Sequence, residues 1–234
     1  MYSKADTHMH TTLSDGLMSP EEMVDHIAAR TDLNVIAITD HNTAEGSLIA
    51  RDYARRTGLK LEVIIGQEMS TVDGDVVGLF LTSTLPRVET AHEAINAIHA
   101  QSGLAIAVHP FSRWSTFNFM SGLGFQIFDL PLDGVEIRNG FPANIICNHA
   151  TAWQNRVRGQ NLPELGGSDS HSLFTVGQAF TWFPGRTAAD FRRAVEQGTV
   201  RAGGPLWTPL NQFRFWATLF KRRGLRQPEP LYSD

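Results

Sequence analysis

The chain has 234 residues, 42% hydrophobic and 19% charged, with a net charge of −4. This suits one sizeable α/β domain and argues against a broad nucleic-acid-binding face. Its single cysteine, Cys147, excludes a disulfide framework and a thiolate zinc site, and with no positive-then-apolar leader and no apolar run of about 18 residues, a cytoplasmic location is expected rather than export or a membrane span.

Residues 6–10, DTHMH, read as an extended segment in which Asp6, His8 and His10 share one face. The stretch 19–30 predicts a helix. Ser19 is placed to cap it, Pro20 opens it, acidic residues fill its first turn, and Met23, Ile27 and Ala28 recur at helical spacing. A strand follows at 34–39 (NVIAIT), a helix at 43–58, strands at 61–66 (LEVIIG) and 75–81 (DVVGLFL), and a helix at 88–103. Further strands are predicted at 104–108 (LAIAV) and 134–137 (GVEI), with His149 in an irregular stretch. A short Gly-flanked segment before Ser168 leads to a strand at 178–183 (QAFTWF) and a helix at 187–198. Glycine closes the helices at 43–58, 88–103 and 187–198. Strands alternating with helices imply a parallel sheet covered by helices, open or closed into a barrel. Residues 1–204 form this domain, and residues 205–234 a C-terminal tail.

In that tail, Leu210, Phe213, Trp216, Ala217 and Phe220 recur at helical spacing among Arg214, Lys221, Arg222, Arg223 and Arg226. A basic, aromatic, amphipathic helix is expected, docked on the domain surface; the alternative is a peripheral contact with anionic lipid, a protein or a nucleic acid.

The ionisable residues fall at the ends of the predicted strands. His41 follows NVIAIT, Glu68 follows LEVIIG, His109 follows LAIAV, and Asp169 and His171 follow the Gly-flanked segment. In parallel α/β folds those ends share one rim, where sites are built. Together with His8, His10 and Asp15 they make a set of imidazoles and carboxylates suited to Mn²⁺, Fe²⁺ or Zn²⁺. His26, His92 and His99 lie inside predicted helices and, with His149, are read as surface or packing residues. Asp6 and Asp40 each stand beside a ligand and are assigned the task of orienting imidazoles or relaying a proton. Arg113 and Arg138 are the candidate cations for a phosphate, Arg138 because it stands two residues from Glu136 and so on its face of the strand. Glu136 itself is given a structural or substrate-orienting role.

Asp6-x-His8-x-His10 with Ser14-Asp15-Gly16, then Ile38-Thr39-Asp40-His41-Asn42, Gly66-Gln67-Glu68, Val108-His109-Pro110, Gly134-Val135-Glu136 and Gly167-Ser168-Asp169-Ser170-His171, in that order, resemble the PHP (polymerase and histidinol phosphatase) family of metal-dependent phosphoesterases. The resemblance implies a distorted (β/α)7 barrel with a trinuclear metal centre. It also implies a first ion on His8, His10, Glu68 and Asp169, a second on Glu68 and His109, and a third on Asp15, His41 and His171. Where the family usually has a histidine, this chain has Asp75, a carboxylate still able to bind a hard divalent ion. Hydrolysis of a small phosphorylated substrate by metal-activated water is the expected reaction, with two or three ions per chain and no stable nucleic-acid partner. A nuclease acting on short single strands or nucleotide ends, and a non-catalytic regulatory module of the same fold, are the alternatives.

Overall fold

The computed structural model describes residues 1–112, 122–141, 144–158 and 161–204, together with Phe213 and Ala217. Arg113 therefore lies outside the described residues, as does the amphipathic segment at 207–226 apart from those two positions.

The described chain runs β1 (Tyr2–Asp6), α1 (Pro20–Arg30), β2 (Val35–Ile38), α2 (Glu45–Thr57), β3 (Glu62–Ser70), β4 (Asp75–Leu79) and α3 (Ala91–Ala100). It continues with β5 (Leu104–Ala107), a 3₁₀ turn (Gly124–Phe128), β6 (Gly134–Asn139), α4 (Ile145–Val157), β7 (Glu164–Gly167), β8 (Phe180–Pro184), α5 (Ala188–Glu196) and β9 (Arg201–Gly203). Three helices, α1, α3 and α5, start where their sequences provide side-chain caps. Ser19, Thr90 and Thr187 each accept a backbone N–H from the third helical residue, while Glu22, Glu93 and Asp190 reach back to the cap. Gly58, with φ of 69°, ends α2 in the left-handed region.

The strands form one sheet in the order β7-β6-β5-β4-β3-β2-β1-β8-β9. It curls into a nearly closed, distorted barrel, with nine strands among the described residues where seven were expected. The Thr181 hydroxyl on β8 accepts from Gly166 N and donates to Gly166 O on β7, joining strands far apart in the sheet order. Gly166 has to be glycine for this, because a Cβ there would lie 2.5 Å from the Phe180 carbonyl oxygen.

The sheet departs from the all-parallel expectation. β4 pairs antiparallel with both β3 and β5, and β8 is antiparallel to β1 and β9. The turn at 71–74 is too short for a crossover, so β4 runs back from the rim at which β3 ends. The stretch around His149 is also regular: α4 covers it.

β2 shows how the core is divided. All four of its residues are buried; Val35 and Ala37 pack with Phe183 and Phe191 under α5, while Ile36 and Ile38 pack with Met23, Val24 and Ile27 of α1. A strand covered on both faces explains its unbroken apolar run. A third cluster, built on Ile95 and Ile98 of α3, supports β4 and β5. With its faces occupied, the barrel leaves its rim to polar chemistry.

Candidate metal centre

At the rim the strand ends release the residues that converge. β1 stops at Asp6, and the chain beyond it is held by His10 N donating to Ser170 O and Asp169 N donating to His8 O, both at 2.8 Å. His8 and His10 turn into the cluster, but Asp6 does not share their face. Its carboxylate accepts Ser168 N at 3.0 Å and Gly177 N at 2.9 Å, which pins the loop after β7. Burial raises its pKa to about 6 against those hydrogen bonds. Asp40 likewise departs from its assignment. It accepts Thr11 N, Thr11 Oγ1 and Ser14 Oγ, each at 2.7 Å, and so ties down the loop that carries Asp15 rather than an imidazole. Asp6 and Asp40 fasten loops from the ends of their strands: Asp6 is the last residue of β1, and Asp40 lies two residues beyond β2.

His8, His10, Asp15, His41, Glu68, Asp75, His109, Asp169 and His171 come together in four overlapping groups. These are His8, His10 and Glu68; His8, His109 and Asp169; Glu68, Asp75 and His109; and His10, Asp15, His41 and His171. Within each group the candidate donor atoms lie within 4.8 Å of one another. Asp75 arrives because β4 is antiparallel: it opens that strand opposite Ser70, two residues beyond Glu68, on the rim where β3 ends. His109 and Asp169 hold their places with φ of 32° and 52°, a left-handed backbone that only a well-determined surrounding supports.

Glu68 lies between the groups, 3.1 Å from His10 Nε2, 3.3 Å from His8 Nε2 and 3.3 Å from His109 Nε2. Asp169 Oδ1 is 3.3 Å from His10 Nε2. These approaches are close without all being aligned: both nitrogens of His10 and Nδ1 of His109 are buried with no hydrogen-bond partner. A buried unpaired imidazole nitrogen is costly, and donors aimed at a shared point instead of at each other are what a cation site provides.

The electrostatics agree. Burial alone would lower the three inner histidines, but the surrounding carboxylates overcome it. Asp169, Glu136 and Glu68 hold His8 well above its ordinary value, Asp169 and Glu68 raise His10 to about 10, and Glu68 raises His109. Burial opposes ionisation of Glu68, Asp169 and Asp15, yet the facing imidazoles keep all three well below the usual carboxylate range. Protons here stand in for a cation's charge. The outer group differs in access, since the Asp15 side chain is 52% exposed and that of Glu68 only 1%.

Arg138 is elsewhere. The β6–β7 ladder carries an extra residue between Glu136, paired with Leu165, and Arg138, paired with Gly166. That bulge breaks the alternation that placed Arg138 on the face of Glu136. Its guanidinium donates to Gly204 O, and it lines an outer cavity with His149, Arg156 and Ala202. Glu136 faces the cluster: Oε1 takes His8 Nδ1 at 3.0 Å, and Oε2 accepts His109 N at 3.0 Å and Asn139 Nδ2 at 2.8 Å. Sequence reading missed Asn139, which follows Glu136 by three residues on the same strand and carries no ionisable group to draw notice.

The PHP domain model matches residues 6–158, and a PHP-associated model matches residues 156–200. The chain belongs to the PHP family. An uncharacterized protein of Methanocaldococcus jannaschii is 37% identical over 157 residues, 62% of this chain and 87% of that one. The 5′-3′ exoribonuclease Rnm of Salmonella typhimurium is 40% identical over 100 residues, but these make up 41% of this chain and 31% of the exoribonuclease. Among solved structures, a two-domain protein of Bacteroides vulgatus containing a predicted PHP-like metal-dependent phosphoesterase superposes with a TM-score of 0.69 at 21% identity, over 88% of this chain and 65% of that one. With the PHP domain in place, the expectation of a metal-dependent phosphoesterase stands. No helix among the described residues is long and apolar enough to cross a membrane.

Proposed function

We propose that this chain hydrolyses phosphate esters, either phosphomonoesters or short nucleotides, with two or three divalent ions drawn from Mn, Fe and Zn. The observation that carries this reading is the convergence of the buried His10 Nε2, which has no hydrogen-bond partner, on Glu68 at 3.1 Å and Asp169 at 3.3 Å, with His109 Nε2 3.3 Å from the same Glu68. His8, His10, Glu68 and Asp169 would hold one ion, Glu68, Asp75 and His109 a second, and Asp15, His41 and His171 a third. Ions bound there supply an acidified water as the nucleophile and neutralise charge on phosphoryl oxygens.

The chain's own part is orientation and access. Glu136 engages His8 Nδ1, and the Asp169 carbonyl engages His171 Nδ1 at 2.9 Å, so both rings present Nε2 inward. The half-exposed Asp15, with the partly exposed His41 and His171, forms the solvent side of the cluster, where a phosphate would enter.

Reconstitution with Mn²⁺, Fe²⁺ or Zn²⁺, metal analysis and a phosphoester panel form the test. Hydrolysis that a chelator abolishes is expected. Inactivity with every metal would overturn the proposal in favour of a non-catalytic module. A nuclease is the second reading, favoured by the likeness to the exoribonuclease. It predicts that a labelled oligonucleotide is shortened faster than a nucleoside monophosphate loses phosphate.

A further inference from the structure

Asn139 is buried, 3% exposed, and every polar atom of its side chain is used. Nδ2 donates to Glu136 Oε2 at 2.8 Å and to Asp169 Oδ2 at 3.2 Å. Oδ1 accepts Phe141 N at 2.8 Å and Asn144 Nδ2 at 2.9 Å. The orientation of the amide is fixed by chemistry, because a backbone N–H only donates: the group facing Phe141 N has to be the oxygen, which turns the NH₂ toward the two carboxylates. Helix α4 then holds the residue in place, with Asn148 accepting Asn139 N and donating to Asn139 O, both at 2.9 Å.

Glu136 and Asp169 are both buried, and each uses one oxygen on the histidines. Glu136 Oε1 holds His8, and Asp169 Oδ1 lies 3.3 Å from His10 and 3.6 Å from both His8 and His171. Their other oxygens meet at one neutral donor. Without it, two buried carboxylates would stand side by side with fewer hydrogen bonds, and either would gain by rotating or taking a proton.

Resting on the proposed metal-dependent function, we propose that Asn139 is a positioning residue of the metal centre, aligning Glu136 and Asp169 as one unit, with α4 acting as its clamp through Asn144 and Asn148. The helix carries none of the donor groups, yet it belongs to the site through this amide. Its contribution is to leave Asp169 Oδ1 and His8 Nε2 as the groups that point inward.

The test measures affinity for Zn²⁺ alone, by competition with a chromogenic chelator on the whole chain, beside the melting temperature of the metal-free protein. Asn139→Ala is expected to weaken zinc binding about 10- to 100-fold, the range for loss of a group that orients ligands. Asn155→Ala is the control. Asn155, on α4, is likewise a buried asparagine, but it bonds Leu162 O and Leu162 N away from the cluster, and its loss should lower the melting temperature with zinc affinity unchanged. Should Asn139→Ala fail to fold, Asn144→Ala leaves Asn139 in place while removing one of the two donors to its oxygen, and a smaller loss of affinity is expected. Zinc affinity within twofold of wild type in both Asn139→Ala and Asn144→Ala, or an equal loss in Asn155→Ala, would overturn the assignment. A wild-type chain that takes up none of Zn²⁺, Mn²⁺ and Fe²⁺ would instead overturn the metal-dependent reading beneath it.

Discussion

Asp15 stands apart from the donors around it. It reaches the cluster from the loop at 11–18, half-exposed, 3.3 Å from His171 Nε2 and 3.6 Å from His10 Nδ1. The inner set of His8, His10, Glu68 and Asp169 does not depend on it, so Asp15→Ala should keep at least one ion per chain. Loss of an ion that stabilises transition-state charge costs several kcal/mol, and at about 1.4 kcal/mol per tenfold turnover should fall by two decades or more. Elemental analysis beside steady-state kinetics on one phosphomonoester checks this; unchanged turnover, or a protein stripped of all metal, would refute the placement. His41, Glu68, His109, Asp169 and His171 are legible in sequence because a strand end is a position that pattern reading can find, whereas Asp75 is placed only by the family resemblance. Roles that depend on where a carboxylate turns are not legible. Asp6 and Asp40 neighbour ligands in the chain but bond loop amides and hydroxyls, and Arg138 was misplaced by a single bulged residue on β6.

Among the elements, legibility followed the caps. The helix starting at Ser19 was read from its cap, proline and acidic first turn, and Ser19 Oγ accepts Glu22 N at 3.1 Å while Glu22 Oε2 accepts Ser19 N at 2.9 Å. α4 begins at Asn144 without a side-chain cap and with no acid in its first turn, and it exposes Ile146, Trp153 and Val157, so no amphipathic pattern announced it. β4 was recognised as a strand, but its direction was set by the four-residue turn before it, which a search for alternating strands and helices passes over. The cap makes a prediction confined to its element. Ser19→Ala should lower stability by about 1 kcal/mol in urea denaturation. Since α1 contributes none of the cluster's donors, zinc affinity should not change, and a changed affinity would show that α1 is coupled to the centre in a way these contacts do not provide.

For the whole molecule, the cluster is a fastening as well as a site. Its donors come from the ends of β1, β2, β5 and β7, from within β3 and β4 and, for Asp15, from the loop at 11–18, so ions held there tie together segments from residue 8 to residue 171. Ligands that bind only the folded state stabilise it, and metal-loaded protein should melt above stripped protein. The size of that gain depends on pH. In the stripped state the facing carboxylates favour the protonated forms of His8, His10 and His109, raising His10 to about 10. Groups raised in this way stabilise the fold below their unfolded value and lose that contribution as pH rises through the folded one. The depressed Glu68, Asp169 and Asp15 contribute above the ordinary carboxylate range and lose it as pH falls. Both contributions are therefore present together near neutrality, where the stripped barrel is held by its own ion pairs. A cation needs neutral imidazoles and must displace those protons, so loading releases protons and weakens as pH falls. At one fixed zinc concentration, the difference in melting temperature between loaded and stripped protein should narrow from about pH 8 to about pH 6, and zinc added to weakly buffered protein should acidify the solution. A melting increment that stays constant across that range, with no protons released, would mean that these histidines do not give up their protons to the ion.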